Sequence, residues 1–531
     1  NSDFTSWTFR KAPKFFDVVT YTGTGSAQTI SHDLGSTPAT IIIKGTDYVE
    51  NWIVYHRSLG ETKYIQLNST GAASTSSAAW NDTAPTSTDF TVNTFNAVNE
   101  SGYNYVAYLF AHNDGDGEFG PTGDQDVIRC GSYTGTGSAG NFIDLGFEPQ
   151  WLLVKATNST QNWEVFDNMR GAPTGGNSAE LFPNTSSAER SAFNIFNFTP
   201  TGFETVTTLD ETNTSGYNYI YIAIRRGPMA VPTDATEVFA MDTLGGTTPN
   251  PPAFNSGFPV DMGIYRLRTS TSNFILNSRL NQGKRLMTNA TDAESDESAA
   301  QFDYMNGYYD STSVSSDYID WMWKRAPSFF DVVAYTGTGS ARTVSHNLGV
   351  APEMMWVKKR NETGAWPVYH VGAHSTSPEN YFLQLNSTIT ATLNSARWNN
   401  TAPTATEFTV GNGGTVNDPN DTYIAYLFAS LDGVSKVGSY TGDGNTGKQI
   451  DCGFQNGARF ILIKATSSSG GWLLWDAERG IVTGNDPYLF LNTTDAENTA
   501  GDNVDPYSAG FIVNGPGNNA SGVDYIFYAI A

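Results

Sequence analysis

The chain has 531 residues, too many for one hydrophobic core, so it is expected to divide into several domains. Only 15% of its residues are charged, while Gly, Ser, Thr, Asn and aromatic residues abound, a turn-rich composition that excludes a mainly helical protein and points to an all-β one. The net charge of −24 argues against a nucleic-acid partner, which would need clustered Lys and Arg, and no apolar run is long enough for insertion into a membrane.

Residues 1–13 read as the closing strand of a truncated unit, because Asp3 to Pro13 matches Asp317 to Pro327, a stretch that closes a later unit. Further polypeptide is therefore expected upstream. Residues 14–112 form a first unit. It opens on a β-branched run that ends in Tyr-Thr-Gly-Thr-Gly-Ser at Tyr21–Ser26, continues through Leu34-Gly35 to Pro38 and the apolar strand Ile41-Ile42-Ile43-Lys44, and closes on Tyr103 to Ala111. The glycines read as the turn after a strand. The closing run is apolar on both faces and so reads as a central strand.

An acidic linker over 113–126 leads to a second unit, 127–227, which repeats the glycine motif at Tyr133–Ser138. A divergent unit occupies 228–325 and lacks that motif. Units 326–430 and 431–531 carry it again at Tyr335–Ser340 and, weakened, at Tyr440–Gly444. The fourth unit matches the first and the fifth matches the second, so the ancestral block is three units long and the chain holds two blocks, the first cut short. The expected architecture is a tandem array of about five β-sandwich, jelly-roll-like domains of about 100 residues each.

Few residues in this pattern suggest chemistry. His56 aligns with His370, but the same slot holds Asp167, Asp476 and Ser278 in the other units, which fits a polar turn position better than a general acid or base. Asp167 with Arg170, and Asp476 with Arg479, have the spacing of a structural ion pair. Trp80-Asn81 and Trp398-Asn399 open the longest matched loop. With His56 and His370 they form the candidate glycan site, an aromatic plane beside amide and imidazole groups; the alternative is a Trp that pins the loop to the sandwich.

Asp114, Asp116 and Glu118 resemble the start of a calcium loop, yet the glycine required at its sixth position is Phe119, so calcium is the one cofactor entertained and a plain acidic linker is favoured. Five Asn-x-Ser/Thr sites, from Asn68 to Asn492, read as side-chain turns at strand ends. Cys130 and Cys452 occupy different places in the repeat, which argues against a disulfide.

The stretch Tyr335 to Met355, together with Trp398 to Thr404 and Tyr423 to Ala429, resembles the repeat modules of tail-fibre and other virion-surface proteins of tailed bacteriophages, marine ones in particular. The resemblance implies a non-enzymatic structural protein, made in the host cytoplasm and carried on the virion surface. Its implied partners are its own copies, as a homotrimer by analogy with fibres, other virion proteins, and a host-surface glycan or protein. Three alternatives are kept: a capsid decoration or cement protein, a glycan depolymerase using Asp292, Glu294, Asp296 and Glu297, and a bacterial adhesin or filament subunit.

Overall fold

A computed structural model of the chain describes residues 4–243, 252–297, 300–308 and 317–531. Asp3, which opens the first matched stretch, lies outside the described residues. The protein is an array of five antiparallel β-sandwich repeats, gathered into two bodies: Asn1–Ala172 with Gly176–Gly227, and Pro173–Gly175 with Pro228–Ala531.

The first repeat shows the plan. Its strands are β1 (Phe16–Thr22), β2 (Gln28–Ser31), β3 (Thr40–Gly45), β4 (Ile53–His56), β5 (Lys63–Gln66), β6 (Ser74–Thr75), β7 (Asp89–Val92) and β8 (Asn104–Phe110). A large sheet has the order β1-β8-β3-β4-β5-β6, and β2 pairs with β7 in a small second sheet. The aromatic closing strand β8 is central, with Tyr105 opposite Tyr21 on one side and Gly45 on the other. The fourth repeat copies this arrangement of six strands and two. The second and fifth share a variant of five strands and three. The sandwiches are uneven, with five or six strands in the large sheet and two or three in the small one.

The repeated glycine motif has a specific physical cause. A Cβ on Gly23, Gly135, Gly337 or Gly442 would sit 2.0–2.1 Å from a backbone carbonyl oxygen of the loop before the closing strand. The second glycine, for example Gly339 at φ +75°, occupies left-handed backbone. A buried asparagine clamps each turn. Asn417 accepts the Thr338 amide through Oδ1 at 2.8 Å and donates through Nδ2 to Ser340 O and Gly411 O; Asn99, Asn213 and Asn519 accept from the corresponding turn amides of their own repeats. The motif tyrosine stacks on the first tyrosine of the closing strand, as Tyr335 on Tyr423 with centroids 5.2 Å apart.

In the second body both faces of each large sheet are buried, which explains why its strands are apolar without alternation. In the fourth repeat one face, with Tyr335, Met355, Tyr369 and Leu427, packs against the small sheet. The opposite face, with Phe330, Trp356, Val368, Tyr426 and Phe428, joins a single core shared by the third, fourth and fifth repeats. Phe239 and Trp323 of the third repeat meet Phe460 of the fifth, Trp323 also meets Phe330 of the fourth, and Phe428 of the fourth meets Tyr528 of the fifth. The second body is thus a closed ring of three repeats around one aromatic core. The first body holds two repeats and the segment 4–13, which the sequence presents as a closing strand; its residues 4–11 pair with no strand among the described residues, and Ala12 bridges Phe16.

Candidate functional site

His56, His370 and Asp476, which the sequence singles out, lie at the seams between repeats. Three side chains make each seam. At the fourth–fifth seam, the Trp472 indole donates to Gln384 O at 2.9 Å and the Lys464 amine donates to Thr388 O at 3.4 Å, both across the boundary. In the other direction, His370 at the end of its strand is bonded to Phe527 O at 3.3 Å. The first–second seam has the same construction, with Trp163 on Gln66 O at 2.8 Å, Lys155 on Thr70 O at 3.2 Å and His56 on Tyr221 O at 3.2 Å.

The third–fourth seam uses Trp366 on Met287 O and Ala290 O, and Lys358 on Thr291 O. Its His slot is Ser278, whose hydroxyl donates to Asn281 of its own repeat and bonds nothing across the seam among the described residues. The fifth–third seam replaces the lysine with Arg266, which reaches Thr494 O, and uses Asp476 in the His slot to accept the Trp321 indole at 3.0 Å. Where the slot holds His or Asp it is a latch to the next repeat, the imidazole donating to a carbonyl and the carboxylate accepting an indole; Ser278 instead bonds within its own repeat.

Burial sets the electrostatics of the latches. Lys155, Lys358 and Lys464 are fully buried, and desolvation pushes each amine down to about 8. Desolvation likewise pushes His56 and His370 down to about 4, so both are neutral near pH 7. Their Nδ1 atoms accept the Ser58 and Gly372 amides, which leaves the proton on Nε2 to donate across the seam. Asp167 and Asp476 are held by Arg170 and Arg479 at 2.6 Å, the structural ion pair that the spacing suggested.

The expected glycan site does not assemble. Trp80 and Trp398 are core residues whose indoles donate to Lys63 O and Tyr381 O, and they pack edge-on against Tyr55 and Tyr369. No indole face is open for a sugar to stack on; the ring pins the loop, as the alternative reading held. His56 follows Tyr55 in the strand and so faces the opposite side of the sheet, as His370 does relative to Tyr369. Only Asn81 and Asn399 are exposed, as left-handed caps of one-turn helices at φ 56° and 52°.

The acids of the linker are bound to cations of the protein. Asp114 pairs with Arg129 at 3.0 Å, Glu118 pairs with Lys14 at 2.6 Å, and Asp116 accepts the Asp114 amide within the loop. Among the described residues no three His, Cys, Asp or Glu side chains are grouped to hold a metal ion. In the third repeat Glu294 pairs with Arg360, Asp296 with Lys284 and Glu297 with Arg285, so these acids form ion pairs rather than a carboxyl dyad.

The Asn-x-Ser/Thr asparagines have a sharper role than a local turn. Each accepts the backbone amide that starts the adjacent strand: Asn68 from Trp52, Asn184 from Trp163, Asn289 from Phe274, Asn386 from Trp366 and Asn492 from Trp472. They thereby set the position of each seam aromatic. The seam lysines and tryptophans were not candidates in the sequence, although a lysine ending an all-apolar strand was the visible signal.

No curated protein and no solved structure matches the chain. One family does, over two stretches that coincide with the two bodies: residues 5–228 and 234–531 place the chain in the domain-of-unknown-function family DUF7483.

Proposed function

We propose that the chain is a non-catalytic structural component of a virion-surface appendage, of the tail-fibre or spike kind, that contributes to attachment to the host surface. One observation carries this reading: His56, His370, Asp167, Asp476 and their companions, the groups best suited to chemistry, are consumed in latching repeat to repeat. Such latches favour stiffness. Three sheets around one aromatic core, joined by buried hydrogen bonds, make a rigid body on which loops are held at fixed spacing. Repeated weak contacts on such a scaffold multiply into avidity. The resemblance of the glycine-turn and closing-strand motifs to phage modules supplies the virion setting. A trimer of chains, other virion proteins and a host glycan or protein complete the proposal.

The test is immunogold labelling of particles with antibody against the chain, paired with adsorption in the presence of excess purified protein. Label on a tail or spike and slowed adsorption support the reading. Label spread evenly over the capsid, with adsorption unchanged, replaces it with a decoration role. Absence of label from particles refutes it.

A further inference from the structure

The second body holds three repeats around one core, and the first holds two repeats and the segment 4–13. Residues 4–13 reproduce, contact by contact, the closing strand of the third repeat, Tyr318–Trp323, and the join that follows it. The Trp7 indole donates to Asp167 at 3.0 Å as Trp321 does to Asp476, and the guanidinium of Arg170 lies 5.3 Å from the Trp7 ring centroid as Arg479 lies 5.7 Å from that of Trp321. Phe9 meets Phe16 and Trp151 as Trp323 meets Phe330 and Phe460. Lys11 pairs with Asp17, and Arg325 with Asp331, both at 2.6 Å; Ala12 bridges Phe16 as Ala326 bridges Phe330.

The surroundings differ. Tyr318–Trp323 is a central strand, paired with Phe239–Asp242 on one side and Met262–Leu267 on the other. Residues 4–11 pair with no strand among the described residues, and Trp7 is 36% exposed where Trp321 is fully buried. An extended segment with both backbone edges open is a template for strand addition.

The walls on either side of this segment are open as well. Lys358 reaches Thr291 O of the third repeat, whereas Lys44, among the described residues, donates only to Gly45 O and Tyr48 O of its own repeat. Trp366 and Tyr426 are fully buried, but their counterparts Trp52 and Tyr108 are half-exposed, and the Trp52 indole bonds no acceptor among the described residues. On the other flank Phe460 and Leu491 are buried, while Trp151 and Phe182 are half-exposed.

We infer that this face of the first body docks a third β-sandwich repeat, one that arrives without its closing strand and receives residues 4–9 between its first and third strands. The docked repeat is carried on the same polypeptide ahead of Phe4. In the second body the closing strand runs through Ala326 directly into the next repeat, and Ala12 makes the same join here. A docked repeat supplies backbone carbonyls to Lys44 and Trp52 and covers Tyr108, Trp151 and Phe182.

Hydrogen–deuterium exchange tests this in two proteins. In the 531-residue chain, the amides of residues 5–11 exchange at nearly free rates and those of 318–323 are protected. Equal protection of the two stretches overturns the inference, as does protection of 5–11 that grows with protein concentration alongside a dimer mass, which would assign the face to a second copy. In a chain with residues 228–317 duplicated ahead of Phe4, exchange of 5–11 slows by at least about 1,000-fold, as for a core strand. Unchanged exchange there overturns the inference, whether the added repeat folds apart from the body or remains unprotected, because the open face is expected to template it.

Discussion

The buried seam lysines make stability depend on pH in an unusual direction. Lys464 is fully buried, and desolvation lowers its amine from the ordinary 10.5 to about 8. Below pH 8 both the folded and unfolded chains carry the proton, and the folded state bears the cost of an amine charge away from water. Between pH 8 and 10.5 the folded amine is largely neutral while the unfolded one still binds its proton, so stability rises with pH by up to about 1.4 kcal/mol per unit for each such lysine.

The buried tyrosines, held well above their usual range as Tyr335 is, oppose this once the unfolded chain ionises near pH 10. The window is therefore pH 8 to 10. The second body holds two of these lysines, Lys358 and Lys464, so the Lys358→Met, Lys464→Met double variant should lose a rise of at most about 5 kcal/mol across that window. At pH 7 each methionine removes a charge-desolvation cost of about 3 kcal/mol and leaves two carbonyl acceptors unpaired at about 1 kcal/mol each, so the net change there is small. Urea unfolding followed by tryptophan fluorescence at pH 7, 8, 9 and 10 measures it. A wild-type stability that is flat or falling from pH 8 to 10, or a rise that survives in the variant, refutes the reasoning.

The seam histidines act in the acid range: with His370 at about 4 when folded and about 6.5 when unfolded, its contribution is full above pH 6.5 and is lost progressively as pH falls towards 4, by about 3 kcal/mol. His370→Gln should flatten the acid limb of a pH-dependent thermal melt. Trp472→Phe removes the indole donor to Gln384 O and part of the ring, and should cost the second body about 1–3 kcal/mol in urea unfolding. Gly337→Ala forces a Cβ to within 2.0 Å of Asp418 O and should cost more than Gly349→Ala, whose Cβ meets nothing within 4 Å and whose left-handed φ of +77° carries about 1 kcal/mol; melts of the two variants rank them. Cys130 and Cys452 are buried, with thiols pushed up to about 12, so a thiol reagent at pH 8 should label neither until the chain is unfolded.

Most of the fold was legible because it depends on local rules repeated several times. A glycine pair after a β-branched run, an apolar strand ending in lysine and an aromatic closing strand recur at nearly constant spacing, and their recurrence established the all-β class, the five repeats and the relation of the first to the fourth and the second to the fifth. Even the centrality of the closing strand followed from its lack of alternation, since a strand apolar on both sides must be covered on both.

What tertiary structure alone decided is what covers that second face. Sequence periodicity shows that Trp356, Trp366 and Tyr426 are apolar or aromatic positions, but not that three sheets turn those faces toward one common core. Long-range placement also fixed the roles of the polar residues. His370 and Trp398 fall near each other in the repeat, yet Tyr369 and His370 point to opposite faces of one strand, so the imidazole meets the neighbouring repeat and the indole meets its own core. The sequence alone determined the repeat and its turns, through steric limits on glycine and the two-residue alternation of a strand. The latches required three dimensions, because a hydrogen bond between Trp472 and Gln384 depends on how two sheets pack, which no spacing along the chain records.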